Sequence, residues 1–240
     1  MWEPQNRTEE DHATSYKSLR RSVGALGFLL PFSLIVAGIV HHDIEPSISH
    51  YYYTEMGDVL VGSLAAIAIF LGSYRGYVPQ HDEWISDHKL ALITAAAALG
   101  VALFPSDGFL DRRNEAAVIE TSARFVSGLH FASAAIFLIS LGCFALFKFT
   151  RSATPKSAWT AEKKRENRIY IASGLTIFAA VIAIAAIKLI DMDNQWAGPF
   201  PDWMFWLETL AVWAFALSWL VKGETLEAAM RMLSPSSDKP

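Results

Sequence analysis

The stretch Glu45–Gly62, EPSISHYYYTEMGDVLVG, packs serines, a histidine, three consecutive tyrosines, a threonine and acidic residues into a few turns. Three kinds of chemistry use such residues. Imidazole and carboxylate groups together hold zinc with an open position, and His41, His42, His50, His130, Asp58 and Glu208 supply both. Serine with histidine and an acid makes a nucleophile set, for which Ser49, His50 and Asp58 are the local candidates. An acid and an imidazole inside a membrane make a proton relay, for which Glu208 and His130 qualify.

Spacing weighs on each option. Neither H-x-x-x-H nor H-E-x-x-H occurs, so a metal held by His50, His130 and Asp58 has no diagnostic ligand pattern behind it. Neighbours in a turn such as Ser49 and His50 seldom face each other, which counts against a local nucleophile set. The relay is weakened because polar residues do not continue toward the other end of the helices. Plain structural roles compete throughout. Tyr51–Tyr53 suit an interfacial anchor, and Pro46 with the following Ser-Ile-Ser-His suits a turn that caps a helix. Asp58 offsets a helix dipole. Lys188 snorkels to the interface, Arg124 pairs with Glu120, and His130 bonds as a neutral ring between helices.

The elements that must position these groups are written plainly. Of 240 residues, 52% are hydrophobic and 18% charged, where a soluble domain carries about a quarter charged. The apolar residues fall into six runs: Val23–Val40, Asp58–Tyr74, Lys89–Phe104, Phe125–Phe147, Tyr170–Ile190 and Trp203–Val221. Each is near the ~20 residues that cross a bilayer. The expected fold is therefore all-α: a polytopic membrane protein with six transmembrane helices. A polar tail over 1–21, a membrane domain over 22–222 and a second tail over 223–240 divide the chain, and Ser234–Pro240 reads as disordered. Arg20-Arg21 precede the first run as in an export signal. That run is long for one, and no small-x-small cleavage site follows, so it reads as a retained span. Pro31 is expected to kink it.

Lysine and arginine counts orient the chain. With both termini cytoplasmic, 16 fall in inside tails and loops and 2 in outside loops, the bias of an inner-membrane protein. Loop four, from Lys148 to Arg168, carries seven of them and is a surface for anionic headgroups or a cytoplasmic partner. Gly24, Gly27, Gly38, Gly62, Ala66, Ala179 and Ala183 mark expected packing faces. The net charge of −4 argues against nucleic acid as a partner. The single cysteine, Cys143, rules out an internal disulfide or a thiolate cluster. No cofactor is indicated.

Placed on these spans, the polar groups collect at the outer side. Glu120, Arg124, Ser127 and His130 follow one stripe of the fourth span. At ~1.5 Å per residue, His130 and Glu208 lie roughly 8–11 Å inside the boundary. Glu208 needs a partner there, with Arg124, His130 or Lys188 at hand. The predicted site is an outward-facing pocket of Ser49, His50, Tyr52, Asp58, Arg124, His130, Lys188 and Glu208. It would take a lipid or small molecule in a binding, sensing or transport role. The alternative is a metal-dependent membrane lipid hydrolase, with His50, His130 and a carboxylate activating water.

The strings SISHYYYT, GDVLVG, SYRGY (73–77), KKRENRIY and FWLETLAVWAFALSWLVKGETL resemble a family of uncharacterised bacterial six-span membrane proteins. The resemblance runs from about Val23 to Leu226. It implies a multi-pass inner-membrane protein and brings no activity. The P-x-I-S element in the first outer loop is similar to Frag1/DRAM-type membrane proteins. A membrane hydrolase superfamily that includes alkaline ceramidases is a further distant likeness. This chain lacks that superfamily's paired histidines near the C-terminus and its serine four residues before a histidine.

Overall fold

A computed structural model describes residues 4–77, 83–106, 117–152, 155–190 and 198–223, with the side chains of 4–15 and 117–123 outside that description. Glu120 and the tail from 224 onward are expectations that fall outside it.

The described residues are helical and contain no strand. Six long helices carry the fold: α1 Pro4–His41, α2 Gly57–Ser73, α3 Asp87–Leu103, α4 Ala117–Cys143, α5 Ala161–Ile190 and α6 Trp203–Lys222. A π-helical turn, Phe144–Phe149, extends α4, and a 3₁₀ helix, Ile48–Tyr53, sits between α1 and α2. The apolar runs set these boundaries. Polar caps end them where the sequence supplies one: the Ser86 side chain accepts the Lys89 N–H at the start of α3. The polar segment before Val23 continues α1, which is helical from Pro4 and passes through Pro31.

Among the described residues four segments are long and apolar enough to cross a membrane: Tyr16–His41, Arg124–Phe149, Ala161–Ile190 and Trp203–Lys222. Helices α2 and α3, at 17 residues each, reach about 25 Å. Large apolar side chains cover the outside of the bundle; Ile69, Phe125, Leu189 and Ile190 are all more than two-thirds exposed. Apolar faces that broad on the surface of a helical bundle support a membrane protein.

Each helix packs on the next in the chain, and α6 closes back onto α1, so the six form a ring. Two ends result. One carries the α1–α2 connection and is called here the Ser49 end; the other is the Arg20 end. Close approach within the ring relies on glycine. A Cβ on Gly24 would lie 2.8 Å from the Leu220 side chain, one on Gly27 2.8 Å from Phe215, and one on Gly142 2.9 Å from Phe178. A Cβ on Gly100 would overlap Ser133. Gly62 instead faces open space and Ala179 is exposed, so these two of the predicted packing residues do not pack. The reason is rotational: small-residue spacing finds a stripe on a helix but not the direction in which it points.

Three aromatic residues near helix ends lie inside the bundle. Tyr74, Tyr170 and Trp219 are fully buried. Trp219 takes Tyr74, Phe144 and Phe149 edge-on at 5.3–5.5 Å, a favoured ring geometry.

Candidate functional site

At the Ser49 end the α1–α2 connection folds inward as a plug. The Ser47 side chain accepts from the His50 N–H at 3.3 Å and so caps the 3₁₀ helix. The tyrosine triplet that follows pegs the plug to the bundle. The Tyr51 hydroxyl donates to the Leu34 carbonyl at 3.1 Å, and its ring meets Phe205 at 5.8 Å. The Tyr53 hydroxyl donates to the Ser106 carbonyl at 2.7 Å. Tyr51 is only 2% exposed, and burial holds its hydroxyl above the usual tyrosine range. Two backbone links fasten the plug to α6. The Phe205 N–H, an orphan donor of the first helical turn, finds the Pro46 carbonyl at 3.0 Å. The Ile48 N–H donates to Glu208 Oε2 at 2.7 Å.

That last bond answers the question of what holds Glu208. Its hydrogen-bond partner is a backbone amide, not one of the cationic side chains that the sequence offered. Lys188 is exposed at the end of α5 and forms no ion pair with it. An N–H aimed at a carboxylate is a charge-assisted bond, and it places Glu208 against the plug.

Ser49 and His130 come together from positions 81 residues apart. His130 Nδ1 lies 2.7 Å from the Phe104 carbonyl oxygen, and Nε2 lies 2.9 Å from Ser49 Oγ. A carbonyl only accepts, so Nδ1 carries the proton. In the neutral ring Nε2 is then the acceptor, and Ser49 Oγ–H donates to it. Both residues are buried, His130 to 3% exposure. This is a serine–imidazole pair with the ring oriented by a third group, the arrangement that activates a hydroxyl.

Under the pair lies a cavity in the ring. Leu30, Leu64, Val101, Phe137, Val212 and Phe215 wall it, and Ser49 and Glu208 are its polar groups. It leaves about 50 Å³ open to the centre of a water molecule; a single water needs roughly 10–15 Å³ by that measure. A second hollow of about 350 Å³ lies beside the plug, between Ala37, Gly38 and His41 of α1 and Asp43, Glu45 and Glu55.

The other predicted site residues stand apart from the cavity. His50 turns to Ser47, its Nδ1 2.6 Å from Ser47 Oγ. Tyr52 packs edge-on against Tyr53 at 5.3 Å. Asp58 is exposed in the first turn of α2, where it meets the positive end of the helix dipole. Arg124 is exposed on α4. Among the described residues no three His, Cys, Asp or Glu side chains gather to hold a metal ion, so His50, His130 and Asp58 do not converge on one.

The Arg20 end holds buried charge that sequence reasoning missed. Lys148 Nζ lies 3.3 Å from Glu83 and 3.4 Å from Asp87, with no side-chain exposure, and donates to the Ile85 carbonyl. Arg151 pairs with Glu83 as well. Gly76 turns at φ +70° directly over Asp87, with no room for a Cβ, and the Tyr77 N–H donates to Asp87 Oδ2 at 3.3 Å. The string SYRGY carried part of the signal, since a glycine just past a helix end marks a tight turn. The π turn is what brings Lys148 inside. An α-helical register is invisible to composition when one wide turn interrupts it.

Comparison of the chain with protein families, with curated proteins and with solved structures finds no match to any of them.

Proposed function

We propose that this is a six-span inner-membrane protein with both termini cytoplasmic, and that its Ser49 end is an outward-facing site for a lipid or lipid-soluble small molecule. The lysine and arginine bias supports the orientation, and the two 17-residue helices fit a bilayer thinned locally around them. The observation that carries the reading is the apolar cavity capped by Ser49 and Glu208. Apolar walls with one or two convergent polar groups take a ligand whose body is apolar and whose end is not. At its present size the cavity accepts the end of a thin chain. The plug, held to α6 by hydrogen bonds, is the part that yields to admit more. A sensing or transport role follows from such a coupling.

The test uses the full chain purified in mild detergent, with bound lipid read by native mass spectrometry. Wild type is expected to carry lipid. Ala134→Phe, which fills the cavity, and Glu208→Gln are expected to lose most of it while still inserting into membranes. Equal lipid in all three would end the proposal.

The Ser49–His130 geometry favours a second reading, an acyl hydrolase that uses serine in place of metal-bound water. Ser49 Oγ would attack an ester carbonyl reached through the cavity, with its proton passing to His130 Nε2 and on to the leaving alcohol. Water would then release the acyl group. A fluorophosphonate probe should label Ser49 in wild type and fail in Ser49→Ala and His130→Ala. No labelling of wild type would remove this reading and leave the binding one standing.

A further inference from the structure

We infer that the Arg20 end binds a phosphate-type oxyanion between Arg20 and Lys222, at the edge of the Tyr77 ring. The site is separate from the cavity at the Ser49 end.

The two cations converge from opposite ends of the chain. Arg20 is 7% exposed. Its Nη2 donates to the Tyr74 hydroxyl at 3.3 Å, and its guanidinium carbon lies 5.2 Å from the Tyr77 ring centre. Lys222 Nζ lies 5.3 Å from that same ring centre. Its one hydrogen bond is a long 3.5 Å contact to the Phe149 carbonyl.

Among the described residues neither cation has a carboxylate within ion-pair distance. The nearby acids are already used: Glu83 and Asp87 are taken by Lys148 and Arg151, and Glu166 by Lys163 at 3.6 Å. Arg20 Nε, buried, has no hydrogen-bond partner among the described residues. The contrast with Lys148 is direct. One buried cation of this end is fully neutralised, and two that share a tyrosine are not.

Aromatic faces offset part of the desolvation of a cation, but they do not supply an acceptor for a buried guanidinium N–H. A tetrahedral oxyanion does. Its oxygens suit the fork of an arginine and the point charge of a lysine together. Tyr77, which stands over both cations, is 56% exposed, so an anion reaches them at the bundle's rim without entering the core. At that level either a phospholipid headgroup or free phosphate supplies the group.

The experiment is thermal unfolding of the full chain in a neutral detergent, at constant ionic strength set with chloride. It is titrated in separate arms with inorganic phosphate and with short-chain phosphatidylglycerol. Wild type should rise by several degrees in at least one arm. Lys222→Gln and Arg20→Gln should each weaken the midpoint response at least tenfold in concentration, while the exposed Arg168→Gln keeps it. A response to the lipid alone assigns a headgroup, and a response to phosphate alone assigns the free anion. No response of wild type in either arm overturns the proposal, even if Arg20→Gln fails to fold. An unchanged response in Lys222→Gln overturns it as well.

Discussion

The two ends of the ring bury polar groups by different means. At the Ser49 end four side chains are met by backbone, Glu208 by the Ile48 amide, His130 by the Phe104 carbonyl, Tyr51 by the Leu34 carbonyl and Tyr53 by the Ser106 carbonyl, while Ser49 meets His130 side chain to side chain. At the Arg20 end side chains meet side chains, through Lys148 with Glu83 and Asp87, and Arg20 with Tyr74. Backbone partners persist when a neighbouring side chain is changed, whereas a charge network fails when one member goes. The Ser49 end is therefore the tolerant one, able to lose a side chain and still hold its shape. The Arg20 end is the stiff one.

Substitutions can break that contrast. Lys148→Met should be the most damaging, because it strands Asp87 in the interior and leaves Glu83 with Arg151 alone; removing one partner of a buried pair costs about 3–5 kcal/mol. Thermal unfolding in detergent measures it, and adding Asp87→Asn should recover part of the loss. If the double variant is no better than the single, the network description is wrong. His130→Ala, which gives up two hydrogen bonds and a packed ring, should cost roughly 2–3 kcal/mol. His50→Ala should cost less than about 1 kcal/mol, since its bond to Ser47 is local to the plug. Equal effects would erase the distinction between the two histidines.

Smaller effects sharpen the picture. Gly100→Ala is expected to destabilise by about 1–3 kcal/mol through overlap with Ser133. Gly62→Ala, facing open space, should be neutral or gain up to about 1 kcal/mol from helix propensity. The least effect is a slope with pH. Tyr51 ionises less readily in the folded protein, above the ordinary value of about 10. Its contribution is fully present below that pH and is lost as pH rises through the folded value. Tyr51→Phe should remove that part of the alkaline decline, and an unaltered decline would show that other groups produce it.

Much of this could be read from the residues in order, and the reason is local. Helix limits follow apolar runs, so Trp203–Val221 in the sequence and Trp203–Lys222 in the structure differ by one residue. Glu208 and His130 were legible as buried polar groups because depth along a helix is counted in residues. What each one touches was not, because direction around the helix and contacts across 81 or 160 residues depend on packing. The stripe Arg124–His130 illustrates this, with His130 inward and Arg124 exposed. Lys148 and Lys222 read as ordinary basic residues at helix ends, the usual place for cations. Only the closed ring reveals that Lys148 is enclosed and Lys222 half-buried.

Closure of α6 onto α1 has a consequence in time. At about 5–20 residues per second, the ribosome needs on the order of ten seconds or more to reach Trp203 after Gly24 has emerged. For that interval the glycine face of α1 and the guanidinium of Arg20 have no α6 beside them. The nascent protein must wait, with its first helix held by lipid or by the insertion machinery, until the last helix arrives to complete the wall. A chain interrupted before residue 203 would display that unfinished seam.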